Sequence, residues 1–278
     1  YGILITGLII LLAATFVTAL CAGQYSVSVP EVTKILASRF VNVTKTWSNT
    51  AEGVVFTLRL PRIIGAVLVG SALSLSGAAY QGVFKNPLVA PDLLGVSSGA
   101  CVGASVAILL HLNSFGVQAM AFVAGILAVG LTLFIPRLIK NTNMTMLVLS
   151  GIIVKGIMDS VMGIIKYVAD PETELQSITY WQLGSLTKVL PKDLFTVEPV
   201  IVAASVIIFL LRWRINILSL GDREAKTLGV SVTVVRNFII ICATLLTASA
   251  VCISGTIGWI GLVIPHFARM LTGPDNTK

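Results

Sequence analysis

Lys155 and Asp159 are the residues whose types and spacing most directly invite a chemical role. They lie four apart, one helical turn, inside the apolar run 145–167. Charge at membrane depth is costly and faces a protein interior or a water-filled path. Two readings stay open for the pair: a pathway or gating role, or a structural pair that neutralises itself at i, i+4. Covalent catalysis finds little support. The chain has no G-x-x-x-x-G-K-[ST] loop, so it does not itself hold ATP in that way, and GxSxG and HExxH are both absent. Ser97-Ser98-Gly99 has no His or Asp partner that would make a nucleophile. His266, after Pro265, reads as a hydrogen-bonding residue at a helix end rather than a metal ligand, and His111 closes an apolar run with no partner beside it. Cys21, Cys101, Cys242 and Cys252 stand singly in apolar segments without disulfide or metal-ligand spacing and read as packing residues. No resident metal or cofactor is expected.

The elements that position these residues belong to a membrane protein. The chain has 278 residues, of which 56% are hydrophobic and 11% charged, with a mean hydropathy of +0.95. A soluble domain carries about 25% charged residues, so the composition specifies many membrane spans. The net charge of +7 does not mark a nucleic-acid binder, because the basic residues sit at span ends without forming a stripe. Anionic headgroups are the partner such charge fits. A hydrocarbon core about 30 Å thick takes about 20 helical residues to cross. Candidate spans lie at 2–22, 61–83, 94–112, 117–136, 145–167, 196–213, 232–252 and 256–272, the last short and interrupted. The first is longer than a signal-peptide core and more spans follow it, so it reads as a transmembrane helix. The sequence opens on Tyr1, and N-terminal residues are expected to precede it. Lipid cannot satisfy backbone polar groups, so every span must be helical or shielded by protein.

Three polar connections stand out. The first, 24–58, contains an amphipathic stretch from Val29 to Phe40, with Pro30 in the first turn of a short helix and Ser28 as its cap. The second, 168–195, opens on Asp170, Glu172 and Glu174 and then places Tyr180-Trp181 as an interfacial anchor before Gly184. The third, 214–231, reads as two short helices hinged at Gly221 and closed at Gly229. The density of Lys and Arg over 212–226 favours a cytoplasmic location for it. No linker or low-complexity tract appears, so residues 1–278 read as one transmembrane domain. Small residues recur at helix-packing spacing: Gly70, Ser74 and Ala78; Gly99 and Gly103; Gly255, Gly258 and Gly261. Between the second and third spans a polar turn, Asn86-Pro87 to Pro91-Asp92, breaks the apolar pattern. Such a break at membrane depth needs shielding protein and often lines a cavity.

Three blocks resemble the FecCD-type permeases, membrane subunits of ABC importers for ferric siderophores, haem and cobalamin. They are Arg59–Arg62, RLPR, running on through GSALSLSGAAYQGVFKNPLVAPDLLGVSSGA; Leu220–Val230, LGDREAKTLGV; and Ser254–Asp275, SGTIGWIGLVIPHFARMLTGPD. Trp181 with Gly184-Ser185 is similar to the family's W-x-x-G-S segment. The resemblance implies an all-α polytopic bundle of the cobalamin-importer permease type, with ten helices expected in the family and about eight in this chain, so that the last two helices are expected to be missing. It implies that Arg59 and Arg62 dock acidic residues of an extracytoplasmic substrate-binding protein, as charge-assisted Arg–carboxylate pairs would. Snorkelling of these arginines to headgroups is the alternative. It implies that 214–231 is a cytoplasmic coupling loop seated in an ATPase subunit, through Leu220, Gly221, Asp222, Glu224, Ala225, Leu228 and Gly229. In the broader importer E-A-A…G pattern the glycine here comes one residue early and Lys226 replaces the second alanine. It implies that Asn86, Pro87, Pro91, Gly95 and Ser98, with Lys155 and Asp159, line the path.

The function so implied is translocation of a ferric siderophore or related iron compound by ATP-driven alternating access, in the bacterial or archaeal cytoplasmic (inner) membrane. The expected partners are a second permease copy or paralogue, two ATPase subunits that carry ATP and Mg, and the binding protein. The chain itself is then not an enzyme. Haem or cobalamin is the alternative cargo. An ion-coupled secondary carrier is the rival class and needs intramembrane carboxylates, of which Asp159 is the clear example. A channel would need a filter or charged ring, and none is evident.

Overall fold

The computed structural model describes residues 2–141, 143–273 and 275, and Pro274 of the third block lies outside them. All regular elements among the described residues are helical. In chain order they are α1 (Gly2–Cys21), α2 (Val29–Ala37), α3 (Asn49–Gly53), a π segment (Val54–Arg59), α4 (Leu60–Phe84), a 3-10 turn (Pro91–Leu94), α5 (Val96–Leu109), α6 (Ser114–Leu138), α7 (Met144–Val168), α8 (Glu174–Leu183), α9 (Pro191–Leu210), α10 (Arg212–Leu220), α11 (Asp222–Thr227), α12 (Val232–Ser254) and α13 (Ile260–Thr272). Among the described residues, six helical stretches are long and apolar enough to cross a membrane: α1, the continuous run Asn49–Phe84, α6, α7, α9 and α12. The remaining two expected spans are shorter apolar helices, α5 and α13. They are short because Pro91–Leu94 and Gly95 take up the start of one, and residues 255–258 leave helical geometry before the other.

The chain divides into two compact units, Tyr1–Val67 with Leu186–Phe195, and Leu68–Ser185 with Thr196–Lys278. In the first, Leu20, Val27, Val32, Ile35, Trp47, Ala51 and Val55 bury against one another. The amphipathic stretch after Ser28 forms α2 as expected, with Pro30 in its first turn. Ser28 stands at the cap position but its hydroxyl makes no capping bond. It is Ser48, ahead of α3, that accepts a bond from the amide of Ala51, at 3.0 Å.

In the second unit α12 is the hub, with 72% of its apolar window buried. In lipid, helices associate through close packing and hydrogen bonds rather than the hydrophobic effect, and both are present. Ser76 Oγ on α4 donates to Ala243 O at 2.9 Å and lies 2.7 Å from Thr247 Oγ1, while Tyr80 Oη meets Thr244 Oγ1 at 3.0 Å. Gly99 and Gly103 do bring α5 close to α6: a Cβ on Gly103 would stand 2.3 Å from Met120 O, and one on Gly99 2.5 Å from Ala128 Cβ. The expected Gly70–Ser74–Ala78 face is out of phase. Nothing lies within 4 Å of a Cβ built on Gly70, whereas one on Gly77 would stand 1.8 Å from Gly261 O. The spacing was right for close approach, but the sequence alone does not say which side of α4 meets α13.

Two histidine readings are also corrected. His266 lies inside α13, exposed, and not at its end. His111 has a partner: its Nε2 is 3.5 Å from Glu174 Oε1, brought there by the fold of the 168–195 connection.

Candidate functional site

The site in the second unit is built on the break after α4. Lys85 takes φ 52° and Asn86 Oδ1 accepts from the amide of Leu88 at 2.9 Å, forming a side-chain-stabilised turn. The 3-10 turn follows and is closed by Gly95 at φ 82°, a left-handed conformation that suits glycine. Gly95 then leads directly into α5. The turn packs onto bare backbone: a Cβ on Gly151 of α7 would stand 2.4 Å from Leu93 O.

Asp92 gains two partners from this placement. Its Oδ1 accepts from the amide of Ser97 at 3.2 Å, in the first turn of α5. Its Oδ2 accepts from Lys155 Nζ at 2.8 Å. The reading of Lys155 and Asp159 as a self-neutralising pair is therefore corrected. Lys155 pairs with Asp92, because the turn carries that carboxylate onto α7.

A cavity of about 300 Å³ opens beside the pair. Pro91, Asp92, Ser97, Ser98 and Cys101 border one side; Lys155, Asp159 and Met162 of α7 another; Gln182, Thr256 and Trp259 a third. Of the seven residues expected on a path, Pro91, Ser98, Lys155 and Asp159 border this cavity. Gly95 packs behind it against Val154 and the backbone of Lys155. Asn86 and Pro87 are exposed on the turn and do not border it. Asp92, Gln182, Thr256 and Trp259 were missed. Asp92 had a signal, since it stands in the break itself. The others come from distant segments.

Those segments meet at Gly184 (φ 75°) and Gly255 (φ 68°). A Cβ on Gly255 would stand 2.2 Å from Trp181 O, and one on Gly184 2.5 Å from Thr256 O. The amide of Ser185 donates to Ser254 O at 2.6 Å, and Thr256 Oγ1 donates to Gln182 O. Trp259, at φ 69°, is a bulky side chain held where such residues rarely sit. It remains 77% exposed at the cavity.

The 214–231 segment forms α10 and α11 hinged at Gly221 (φ 148°), with Gly229 (φ 76°) after them, as the sequence implied. Ala225 is fully buried, while Leu220 and Leu228 are exposed. Glu224 folds back over Gly221, where a Cβ would meet its carboxylate. Asp222 Oδ1 accepts from Arg236 Nη2 of α12 at 2.7 Å and lies 3.5 Å from Lys85 Nζ, the residue that opens the break. Burial pushes the Asp222 carboxyl up, but the hydrogen bond and charge of Arg236, joined by Lys85, outweigh it and hold the group below its ordinary value.

In the first unit, Arg59 ends the π segment and turns back over the end of α1. It donates to Leu20 O at 2.6 Å, to Cys21 O at 3.2 Å and to Tyr25 O. A guanidinium satisfies the orphan carbonyls of a helix C-terminus and suits its dipole. Gly23 leaves room for it, since a Cβ there would stand 2.4 Å from Nη2. Arg62 is exposed and donates to Thr187 O at 3.1 Å.

The profile of the FecCD transport family matches residues 10–278. The molybdate import system permease of Haemophilus influenzae is 37% identical over 277 residues, covering 99% of this chain and 81% of that protein. A Helicobacter pylori permease named for an iron chelatin transport system is 41% identical over 225 residues, covering 81% and 68%. A solved structure described as an inward-facing, metal-chelate type ABC transporter aligns with a TM-score of 0.88 at 34% identity, covering all of this chain and 84% of that one. With its apolar spans and this match along nearly its whole length, the chain belongs to the FecCD transport family and is a multi-pass inner-membrane permease of the ABC importer class.

Proposed function

We propose that this permease passes a ferric siderophore or related iron chelate across the membrane by ATP-driven alternating access. A substrate-binding protein delivers the cargo, and two separate ATPase subunits, which hold ATP and Mg, drive a pair of permease chains. No cofactor is assigned to this chain. The observation that carries the reading is the connection through Asp222. One carboxylate joins α11, the root of α12 and Lys85 at the start of the break whose other end borders the cavity. A push on Leu220, Gly221, Asp222, Glu224, Ala225, Leu228 and Gly229 from an ATPase would reach the Asn86–Pro91 break and the Lys155–Asp92 pair through it. The cavity's mixed polar lining supports weak contact with a large cargo rather than tight capture.

Arg62, exposed, is proposed as the docking residue for a carboxylate of the binding protein. Arg59 contributes by fixing the local backbone. Names of relatives support iron chelates, and the molybdate permease supports a second reading, an oxyanion cargo. The test is uptake into proteoliposomes that hold the assembled transporter, ATP and the binding protein, using radiolabelled ferric siderophore, molybdate, haem and cobalamin. ATP-dependent accumulation of the iron chelate alone is the expected result. Accumulation of molybdate alone would replace the cargo, and uptake driven by an ion gradient without ATP would overturn the importer mechanism.

A further inference from the structure

Arg236 is a buried cation with more donors than the fold uses. It is 8% exposed on α12. Its Nη2 donates to Asp222, but its Nε, also buried, has no hydrogen-bond partner among the described residues. A buried donor left unpaired costs free energy, so the fold does not fully satisfy this guanidinium.

Arg236 borders a second cavity, about 50 Å³, separate from the one beside Lys155. Its polar side is made by Arg137, Thr233, Arg236 and Asn237. Two guanidinium groups, a hydroxyl and an amide form a donor-rich set, and a guanidinium fork matches the oxygens of a phosphate. Thr233 lies in the first turn of α12, where the helix dipole favours an anion. The other side is made by Leu133, Pro136, Met144 and Leu147.

The position of this pocket in the fold selects the ligand. It lies where α6 ends (Arg137), α7 begins (Met144) and α12 begins (Thr233). Ends of spans lie at the level of lipid headgroups, and basic pockets between span ends suit anionic ones. A free inorganic anion would satisfy the arginines but leave the apolar wall uncovered. A phospholipid answers both, with its phosphate on the arginines and an acyl chain along Leu133, Pro136, Met144 and Leu147.

We propose that this pocket binds the phosphate of an anionic phospholipid. Because the same guanidinium holds Asp222 of α11, bound lipid also fixes the orientation of the Arg236–Asp222 bond. The binding claim itself needs only the membrane location of the chain.

The test uses the assembled transporter in nanodiscs of phosphatidylcholine with or without phosphatidylglycerol, with retained lipid read by native mass spectrometry. Wild type is expected to retain phosphatidylglycerol. Arg137→Gln, at an exposed side chain, is expected to lower retention about five-fold, the worth of one basic residue near a charged surface. Arg236→Lys keeps the charge beside Asp222 but removes the planar guanidinium fork, and should also lower it. Equal retention by wild type and both variants would overturn the site. Binding of inorganic phosphate in phosphatidylcholine discs as strong as that of phosphatidylglycerol would overturn the lipid and make the pocket a free-anion site.

Discussion

Asp92 uses each oxygen of one carboxylate for a different helix: the start of α5 through Ser97, and α7 through Lys155. Asp92→Asn should therefore lower unfolding free energy in detergent by about 1 kcal/mol, since each side chain of the ion pair is a third or more exposed and water screens it. Adding Lys155→Met should recover part of the loss, because removing both partners strands no charge. A double-mutant cycle from chemical denaturation measures this, and additive losses would mean that the pair carries no coupling. Asp222 gives a pH signature. Its carboxyl sits below its ordinary value in the fold, so its contribution is complete above the unfolded pKa and is lost as pH falls through the folded one. Wild type should lose melting temperature toward acid below about pH 4 more steeply than Asp222→Asn does, in thermal scans across that range. At this scale the sequence exposed Lys155 but not its partner. A within-helix spacing is visible in the chain, whereas a bond from residue 92 to residue 155 depends on how the turn lands on Gly151.

Among the elements, the contact of α4 with α13 is the most sensitive to added volume. Gly77→Ala would drive a methyl against Gly261 O and is expected to cost about 1–3 kcal/mol. Gly70→Ala, with open space around it, should stay within about 0.5 kcal/mol of wild type. Thermal unfolding of the two solubilised variants separates them, and equal losses would refute the assignment of the packing face. Helix positions were readable because apolar runs of span length have one structural solution in lipid. The hinge at Gly221 was readable because glycine punctuates it between two short helical patterns. The face of α4 was not, since several small residues offer overlapping stripes and only the partner helix chooses. The Gly184–Gly255 junction was half readable: each glycine stood in a matching block, but their approach joins segments about 70 residues apart in the chain.

At the level of the whole molecule, charge reversal at two neighbouring arginines should have different outcomes. Arg62→Glu should leave the melting temperature near wild type while lowering stimulation of ATP hydrolysis by the binding protein about ten-fold, on the scale of a lost charge-assisted contact at an interface. Arg59→Glu should instead destabilise the first unit, because the guanidinium caps α1 through the Leu20 and Cys21 carbonyls and ties down that of Tyr25 beyond it. Unchanged stimulation in Arg62→Glu would remove it from the docking surface. Class and membrane location were legible from composition and three sequence blocks, whereas cargo was not, because the cavity offers mixed polar contacts rather than a ligand set. One consequence concerns voltage. Helix α5 has 14 residues, about 21 Å of rise, against a hydrocarbon core of about 30 Å. At its N-terminal end Ser97 and Ser98 border the cavity, so this short helix opens onto a partly polar space. Water filling that space would shorten the distance over which a membrane potential falls and steepen the local field beside the Lys155–Asp92 pair. The same steepening would act on any charge that stands in the cavity.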